Sequence, residues 1–465
     1  MPKFLSHEDL LSTDLDSHVD RMIASLSEKD TFIMDFKANF ALNPNVDSLL
    51  YNTHSFSPYL ESHFIQPVKP FSLEEIEGYR IAAVDGGLGF RQYLGLQITL
   101  IKAAVVQYHF MPDSSPKITT FPPLRNKGNY CLYTDYAPAT EFHGGLLAGY
   151  RRQIAENAIL IDFIQSSSLP PEIVILDGSV LPPPCPVSAR EDELTFKYYS
   201  HCFESYNELY EICNAKGILL IGCIKDTRST VLRDLLLKSL PFFLSKYPFL
   251  QGLTKTDFRK ILQSFTDVEL FSRLLTPNTR SLAFRYDFQD YVKYQSSFSS
   301  NFFAESKAAV ENGVENSDTD GISRLFTLLK PKDGIFASYL QISPFDSPIR
   351  VEFVSPLDPD HVKRRIDTIA KVIFPISRIT PQCTLPIPQI EAHMLAHLPE
   401  VEIDLVVNQL QRRLCLKQFC SSTANSLLKG EQEHSTAEFS QLEHNNPLID
   451  HFNLFSEKRH TRLPF

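Results

Sequence analysis

Two aspartates of this sequence each stand where an apolar run meets a glycine. Asp85 follows "IAAV" and precedes Gly86, and Asp177 follows "IVIL" and precedes Gly178. A single Asp-Gly pair most often marks only a turn. Two carboxylates that converge at one edge of a sheet repel each other unless a proton or a cation neutralises them. Hard divalent ions such as Mg²⁺ and Mn²⁺ take oxygen ligands of this kind, and a pair of such ions commonly clamps a scissile phosphate.

A third carboxylate is expected from Glu156. It lies in the helical stretch "GGLLAGYRRQIAENAILIDFIQSS", which precedes the second aspartate. A spacing of about four helical turns and a short loop lets its side chain return over the edge of the sheet. A helix glutamate more often faces solvent, and Asp162 on the same helix is a weaker alternative.

His393 and Lys225 are two further candidates. His393, in "IEAHM", could hold a metal through neutral imidazole or act as a general acid or base. Lys225, in "GCIKDTRS", could neutralise charge on a transferring phosphate. The plainer interpretations are a capping or surface histidine and a solvated loop lysine.

The elements around these residues predict an α/β fold. Strand-like stretches such as "YRIAAVDGG", "EIVILD" and "GILLIG" alternate with helical stretches, which indicates a sheet covered on both faces. In such sheets the ligand site lies at the carboxyl ends of the strands. We therefore expect the first of these strands to end at Asp85 and the next to end at Asp177.

Composition limits the class of protein. The chain has 465 residues, of which 43% are hydrophobic and 22% charged, with a formal net charge of −10. An acidic total excludes a protein coated in basic surface, but it allows a local nucleic-acid channel. The cysteines form no CxxC pair and no zinc-type spacing, which indicates buried thiols in a reducing compartment. Without a signal peptide or an apolar run near the roughly 20 residues that span a bilayer, a cytoplasmic protein is expected.

Seven motifs, in their order along the chain, resemble those of the NurA nucleases. They are "AAVDGG", the helix bearing Glu156, "VILDGS", "IGCIKDTRS", "TDVELFSRLLTPNTRS", "SYLQISPFDSPIRVEF" and "PIPQIEAH". The similarity spans residues 75–415 of the sequence. Each motif alone is unspecific, but the seven in this order are much harder to obtain by chance.

The resemblance implies an RNase H-like core, a mixed sheet flanked by helices, with helical additions. The nuclease domain would extend over 75–415. The segments outside the resemblance are predicted from the residues themselves: a helical N-terminal extension over 1–74, a polar insertion around 295–325 and a polar tail over 416–465. The metal would be Mn²⁺ or Mg²⁺. Carried over by position, its ligands would be Asp85, Glu156, Asp177 and His393, and Lys225 would be a further catalytic residue close by.

The implied activity is cleavage of DNA, as a 5′ to 3′ exonuclease and a single-strand endonuclease, in DNA-end resection and repair. The implied partners are single- and double-stranded DNA ends, a hexameric HerA-type DNA-translocating ATPase, and a second copy of the chain in a homodimer, with no membrane. Basic residues that could line a DNA path are Arg151, Arg152, Arg228 and Arg350. For each of them, an ordinary solvated surface charge is the commoner explanation.

Gly87 departs from the family pattern, which usually has Ser after Asp-Gly. The missing hydroxyl leaves room for an alternative, a catalytically weak DNA-binding scaffold that partners the translocase. A less favoured alternative is an ATPase of actin-like fold. Such a protein would need Thr or Ser in its phosphate loop, and "DGGLGFRQY" has neither.

Overall fold

The structure is a computed structural model. It describes residues 13–37, 61, 63–72, 74–93, 96–112, 114–122, 130–136, 141–182, 192–225, 227–237, 255–285, 333–378 and 382–429. The insertion expected around 295–325 and the tail beyond 429 lie outside the described residues. In this part of the chain no helix combines the length and the apolar character that a membrane crossing requires.

Among the described residues, helices and strands alternate between positions 141 and 263, and runs of consecutive strands come before and after this stretch. The strands are β1 (Ile65–Pro67), β2 (Arg80–Gln92), β3 (Leu96–His109), β4 (Lys117–Phe121), β5 (Tyr130–Tyr136), β6 (Ile173–Asp177), β7 (Leu219–Ile224), β8 (Thr279–Ser281), β9 (Phe284–Arg285), β10 (Asp333–Gln341) and β11 (Ile349–Pro356). The main helices are α1 (Thr13–Phe36), α2 (Glu141–Ser166), α3 (Glu193–Lys216), α4 (Lys255–Gln263), α5 (Asp267–Leu274), α6 (Pro359–Ile376), α7 (Ile387–Ala396) and α8 (Glu400–Lys429).

The described residues divide into two compact units. The first unit takes the residues up to Glu77, those of 221–285 and those of 333–387, and the second takes those of 78–220 and 388–429. The first unit holds an antiparallel sheet in the order β1-β8-β10-β11-β7, with β9 paired to β10. Its core joins Phe32 of α1, Phe271 of α5 and Tyr339 of β10, all buried.

The second unit is built around β2. This strand pairs with β3 in antiparallel fashion and with β6 in parallel fashion, and β3 also pairs with β4 and β5. Helix α2 packs on β2 and β3 and against α3. The expected α/β fold, with a mixed sheet flanked by helices, is confirmed.

The expectation that the first strand ends at Asp85 is wrong. Strand β2 continues to Gln92, because β3 offers a partner to every residue from Arg80, opposite His109, to Gln92, opposite Gln97. Strand β6 does end at Asp177, as expected. Asp85 is therefore fixed inside a long paired strand, where its backbone has less freedom than in a turn.

The expected domain boundaries at residues 74 and 415 stay predictions. Helix α1 falls in the first unit together with β8, β10 and β11. Helix α8 runs through position 416 without a break and ends at Lys429.

Candidate metal centre

Asp85 and Asp177 come together because β2 and β6 are parallel and in register. Val84 pairs with Leu176, so the next residue of each strand is an aspartate at the same level of the sheet. Burial raises the pKa of Asp177, and the Asp85 carboxylate, which is close enough to hydrogen-bond to it, raises that pKa further. The two carboxylates therefore share one small, partly desolvated space at the end of β6.

Asp85 is held on both of its oxygens. The residue is only 2% exposed. The backbone N–H of Gly86 donates to Oδ1 at 2.6 Å, and Nδ1 of His393 lies 2.6 Å from Oδ2. These contacts fix the carboxylate in one orientation.

Glu156 reaches the same place from α2. A Cβ built on Gly86 would lie 2.5 Å from Glu156 Oε1, so the glutamate packs directly on the bare backbone of β2. Burial raises the pKa of Glu156 from 4.5 to about 8. Arg152 opposes that rise, and Asp85 and Asp177 add to it. Asp162, the alternative on α2, is exposed.

Arg152 is the cation beside the three carboxylates. Its Nε lies 3.4 Å from Glu156 Oε1, one helical turn away along α2, and its side chain is one-third exposed. The Glu156 carboxylate raises the pKa of Arg152, and Asp85 and Asp177 contribute in the same direction. Arg152 therefore lies beside the carboxylates, and part of its side chain is exposed to solvent.

Helix α7 contributes two side chains one turn apart. Gln389 donates its amide N–H to Asp177 Oδ1 at 2.6 Å, and His393 contacts Asp85. Gln389 is buried, whereas the His393 side chain is 70% exposed. Sequence reasoning found His393 and missed Gln389. The signal that could have found it is the i, i+4 spacing of the two residues in "PQIEAH", which places them on one face of a helix.

The close approach of α7 to β2 explains Gly87. A Cβ on this residue would lie 1.9 Å from the carbonyl oxygen of Ala396, the last residue of α7. A backbone atom cannot move aside as a flexible side chain would, so only glycine fits here. The departure from the serine of the family pattern therefore has a steric cause, and the same packing places Gln389 and His393 at the carboxylates.

The residues of this cluster fit a divalent cation in charge and in donor chemistry. Three carboxylates and an imidazole are ligands that Mn²⁺ and Mg²⁺ accept. Oε1 of Glu156 is buried and accepts no hydrogen bond within the described part of the chain. Across those residues, no three His, Cys, Asp or Glu side chains are already gathered as a metal shell. Hydrogen bonds and ion pairs hold the cluster together instead.

Two of the basic residues expected to contact DNA are buried. Arg151 is 1% exposed and forms a bidentate pair with Asp135, and its guanidinium carbon lies 4.3 Å from the ring centroids of both Tyr133 and Tyr198. Arg350 is 4% exposed and lies 2.7 Å from Glu352 in the first unit. A DNA contact by either residue finds no support in this geometry, because each guanidinium is enclosed by protein.

Lys225 and Arg228 also belong to the first unit. Nζ of Lys225 lies 3.2 Å from Asp346 Oδ2. Burial raises the pKa of Asp346, but hydrogen bonds from Thr384 and Lys225 outweigh it and bring that pKa below its ordinary value. Arg228 is exposed.

Comparisons with known proteins point to one family. The profile of the NurA domain matches residues 79–366, and no curated protein matches the sequence. The chain is similar to the crystal structure of the NurA nuclease from Sulfolobus solfataricus, at 11% identity and a TM-score of 0.47, over 86% of this chain and 98% of that one. Two more distant similarities are to NurA with manganese (11% identity, TM-score 0.35, 84% and 96% covered) and NurA bound to dAMP and manganese (13%, 0.30, 70% and 85%).

Proposed function

Because the chain belongs to the NurA family, we propose that it is a metal-dependent deoxyribonuclease. The observation that carries the proposal is the convergence of Asp85, Glu156 and Asp177, from β2, α2 and β6, in a partly buried space. Carboxylates crowded in this way favour a multiply charged cation over a second basic side chain.

In the proposed site, Asp85, Glu156, Asp177 and His393 hold Mn²⁺ or Mg²⁺. When bound, the ion supplies Lewis acidity toward the phosphodiester and makes a water molecule more acidic. Asp85 is kept in place by the Gly86 N–H and by His393. Because Nδ1 of His393 faces Asp85, the opposite ring nitrogen, Nε2, is the one that can bind the ion or exchange a proton with the substrate.

Arg152 is the proposed phosphate contact. Its guanidinium lies beside the carboxylates and keeps an exposed portion, so it can pair with a phosphate oxygen while it still balances Glu156. Arg228, which is exposed, and Lys225 are further candidates that rest on the family resemblance. Arg151 and Arg350 are left out because both are buried.

The central test is a nuclease assay on end-labelled single- and double-stranded DNA with Mn²⁺, Mg²⁺ or EDTA. Asp85→Asn should lower cleavage by roughly a thousandfold or more, as loss of a catalytic group commonly does. The matched control is Asp162→Asn, the same change at an exposed position of α2, which should cleave like the wild type. The end labels also report whether cleavage runs from 5′ to 3′ and whether internal cuts occur in single strands.

Cleavage that survives Asp85→Asn, or that is unaffected by EDTA, would overturn the proposed metal site. A wild-type protein that binds DNA but never cuts it would instead support the scaffold alternative. Gly87 no longer favours that alternative, since its cause is the packing of α7.

The biological setting proposed for this activity is DNA-end resection and repair in the cytoplasm, as a homodimer with a hexameric HerA-type ATPase. These partners rest on family membership alone. Sedimentation of the full chain, by itself and with a HerA-type ATPase from the same cell, should show a dimer and a complex that contains both proteins. A monomer that does not associate with the ATPase would contradict this part of the proposal.

A further inference from the structure

We propose that Gln389 is a positioning residue for the metal site, which holds Asp177 in the orientation that binds the ion. The inference deepens the proposed function and rests on it. The motif "PIPQIEAH" contains this glutamine, but the resemblance gave a role only to His393; the role of Gln389 rests on its contact in the structure.

The contact between Gln389 and Asp177 is short and partly buried, because the amide donor is enclosed while the aspartate keeps some exposure. The amide Nε2 is 2.6 Å from Asp177 Oδ1, and the glutamine is 1% exposed. A buried hydrogen bond to a carboxylate is stronger and better defined in direction than one at the surface. The contact involves one of the two carboxylate oxygens, so it sets the rotation of the carboxyl group about its bond to Cβ.

An uncharged hydrogen-bond donor is well suited to the position of Gln389 beside Asp177. An amide orients the carboxylate and leaves its negative charge in the site, whereas a lysine or arginine would compete with the metal for that charge. Arg152 already provides the fixed positive charge next to Glu156. Gln389 therefore orients the Asp177 carboxylate without reducing the attraction of the site for a cation.

Helix α7 is itself held at a fixed distance from the carboxylates. The carbonyl of Ala396 sits against Gly87, and Glu391 accepts a hydrogen bond from the hydroxyl of Tyr108 on β3. One turn of the same helix separates Gln389 from His393, which contacts Asp85. The helix thus presents one partner to each of the two aspartates.

The test measures Mn²⁺ binding to the full-length apo protein by isothermal titration calorimetry, beside thermal unfolding and cleavage as a function of Mn²⁺ concentration. Gln389→Met keeps the length of the side chain and removes the donor, so it should weaken Mn²⁺ binding by roughly tenfold to a hundredfold. Cleavage should recover at high Mn²⁺ concentration. Glu391→Met is the matched control, because it removes a hydrogen bond between α7 and β3 without touching a carboxylate of the site.

The outcomes distinguish failure of the positioning role of Gln389 from failure of the proposed metal site. If wild-type protein binds Mn²⁺ and Gln389→Met binds it equally well while Asp177→Asn does not, the positioning role is wrong and the metal site stands. Equal weakening by Gln389→Met and Glu391→Met would also overturn the inference, because it would show a general effect of loosening α7. If the wild type binds no Mn²⁺, both proposals fail. Should Gln389→Met not fold, Gln389→Asn, whose amide falls short of Asp177, must show the same weakened binding.

Discussion

Two buried charge clusters of this protein are built in opposite ways. In the first unit, Arg280 is fully buried and pairs with Glu61 at 2.6 Å and with Asp367 at 2.7 Å. Lys363 adds a second positive charge at Asp367, so two cations face two carboxylates. In the second unit, three carboxylates face the guanidinium of Arg152 and the ring of His393.

The pKa values follow this difference. Burial raises the pKa of Asp367, but Arg280 and Lys363 outweigh it and bring that pKa below its ordinary value. At Glu156 the opposing charge of Arg152 does not offset burial and the two neighbouring aspartates, and the pKa rises to about 8. A balanced cluster keeps its carboxylates ionised, whereas in an unbalanced one the carboxyl pKa values stay raised until a cation binds.

The largest expected effect on stability comes from breaking the balanced cluster. Arg280→Met should cost about 3–5 kcal/mol in the free energy of unfolding, because it leaves the Glu61 carboxylate buried without its partner. Urea denaturation measures this loss. The double variant Glu61→Gln with Arg280→Met should recover much of it, because no buried charge is then unpaired. If the double variant is as unstable as the single one, the role of the ion pair in stability is wrong.

The unbalanced cluster should respond to pH in the opposite direction from the balanced one. Between pH 4.5 and 8, Glu156 keeps a proton in the folded apo protein that it loses in the unfolded chain. The folded state binds more protons there, so stability should fall by roughly 2–4 kcal/mol as pH rises through this window. Asp367, with its lowered pKa, loses its stabilising contribution as pH falls.

Denaturation in EDTA across that pH range tests the prediction. In Glu156→Gln the decline between pH 4.5 and 8 should be largely absent, since the amide does not titrate. Two results would contradict the assignment of Glu156 as a buried carboxylate close to Asp85 and Asp177. One is a wild type whose stability rises with pH, and the other is a Glu156→Gln protein whose stability falls as steeply as that of the wild type.

The smallest expected effect on stability comes from a change at Gly87, which should act on the carboxylate cluster and leave the Arg280 cluster as it is. Gly87→Ser restores the residue usual in the family, but its Cβ would meet the Ala396 carbonyl. The overlap should cost about 1–3 kcal/mol and displace α7. Mn²⁺ binding, measured by calorimetry, should weaken as α7 moves away.

The control is the Arg280 cluster. Arg280→Met should lower the free energy of unfolding by the same amount in the Gly87→Ser protein as in the wild type. A Gly87→Ser protein of wild-type stability and Mn²⁺ affinity would show that α7 tolerates a side chain there.

Local sequence patterns indicated strands β2 and β6, the helix of Glu156 and the pair of aspartates, but not strands β4 and β5. Apolar runs and strand-end position gave Asp177, and helical periodicity gave the helix of Glu156. The Asp-Gly pair after the apolar run predicts a strand end at Asp85, but the partner strand β3 overrides that local preference.

What the sequence could not show were contacts between distant segments. Gln389 and Asp177 are 212 residues apart, and a glutamine in a helix has no motif of its own. Arg151 looks like any basic residue until Asp135, Tyr133 and Tyr198 are seen to enclose it. In each case the role of the residue is decided by tertiary packing.

Helix α7 lies late in the polypeptide, more than 200 residues after the last of the three carboxylates. During synthesis on the ribosome, Asp85, Glu156 and Asp177 emerge long before Gln389 and His393. A nascent or prematurely terminated chain that stops before residue 387 therefore has the acidic residues without the helix that contacts Asp85 and Asp177.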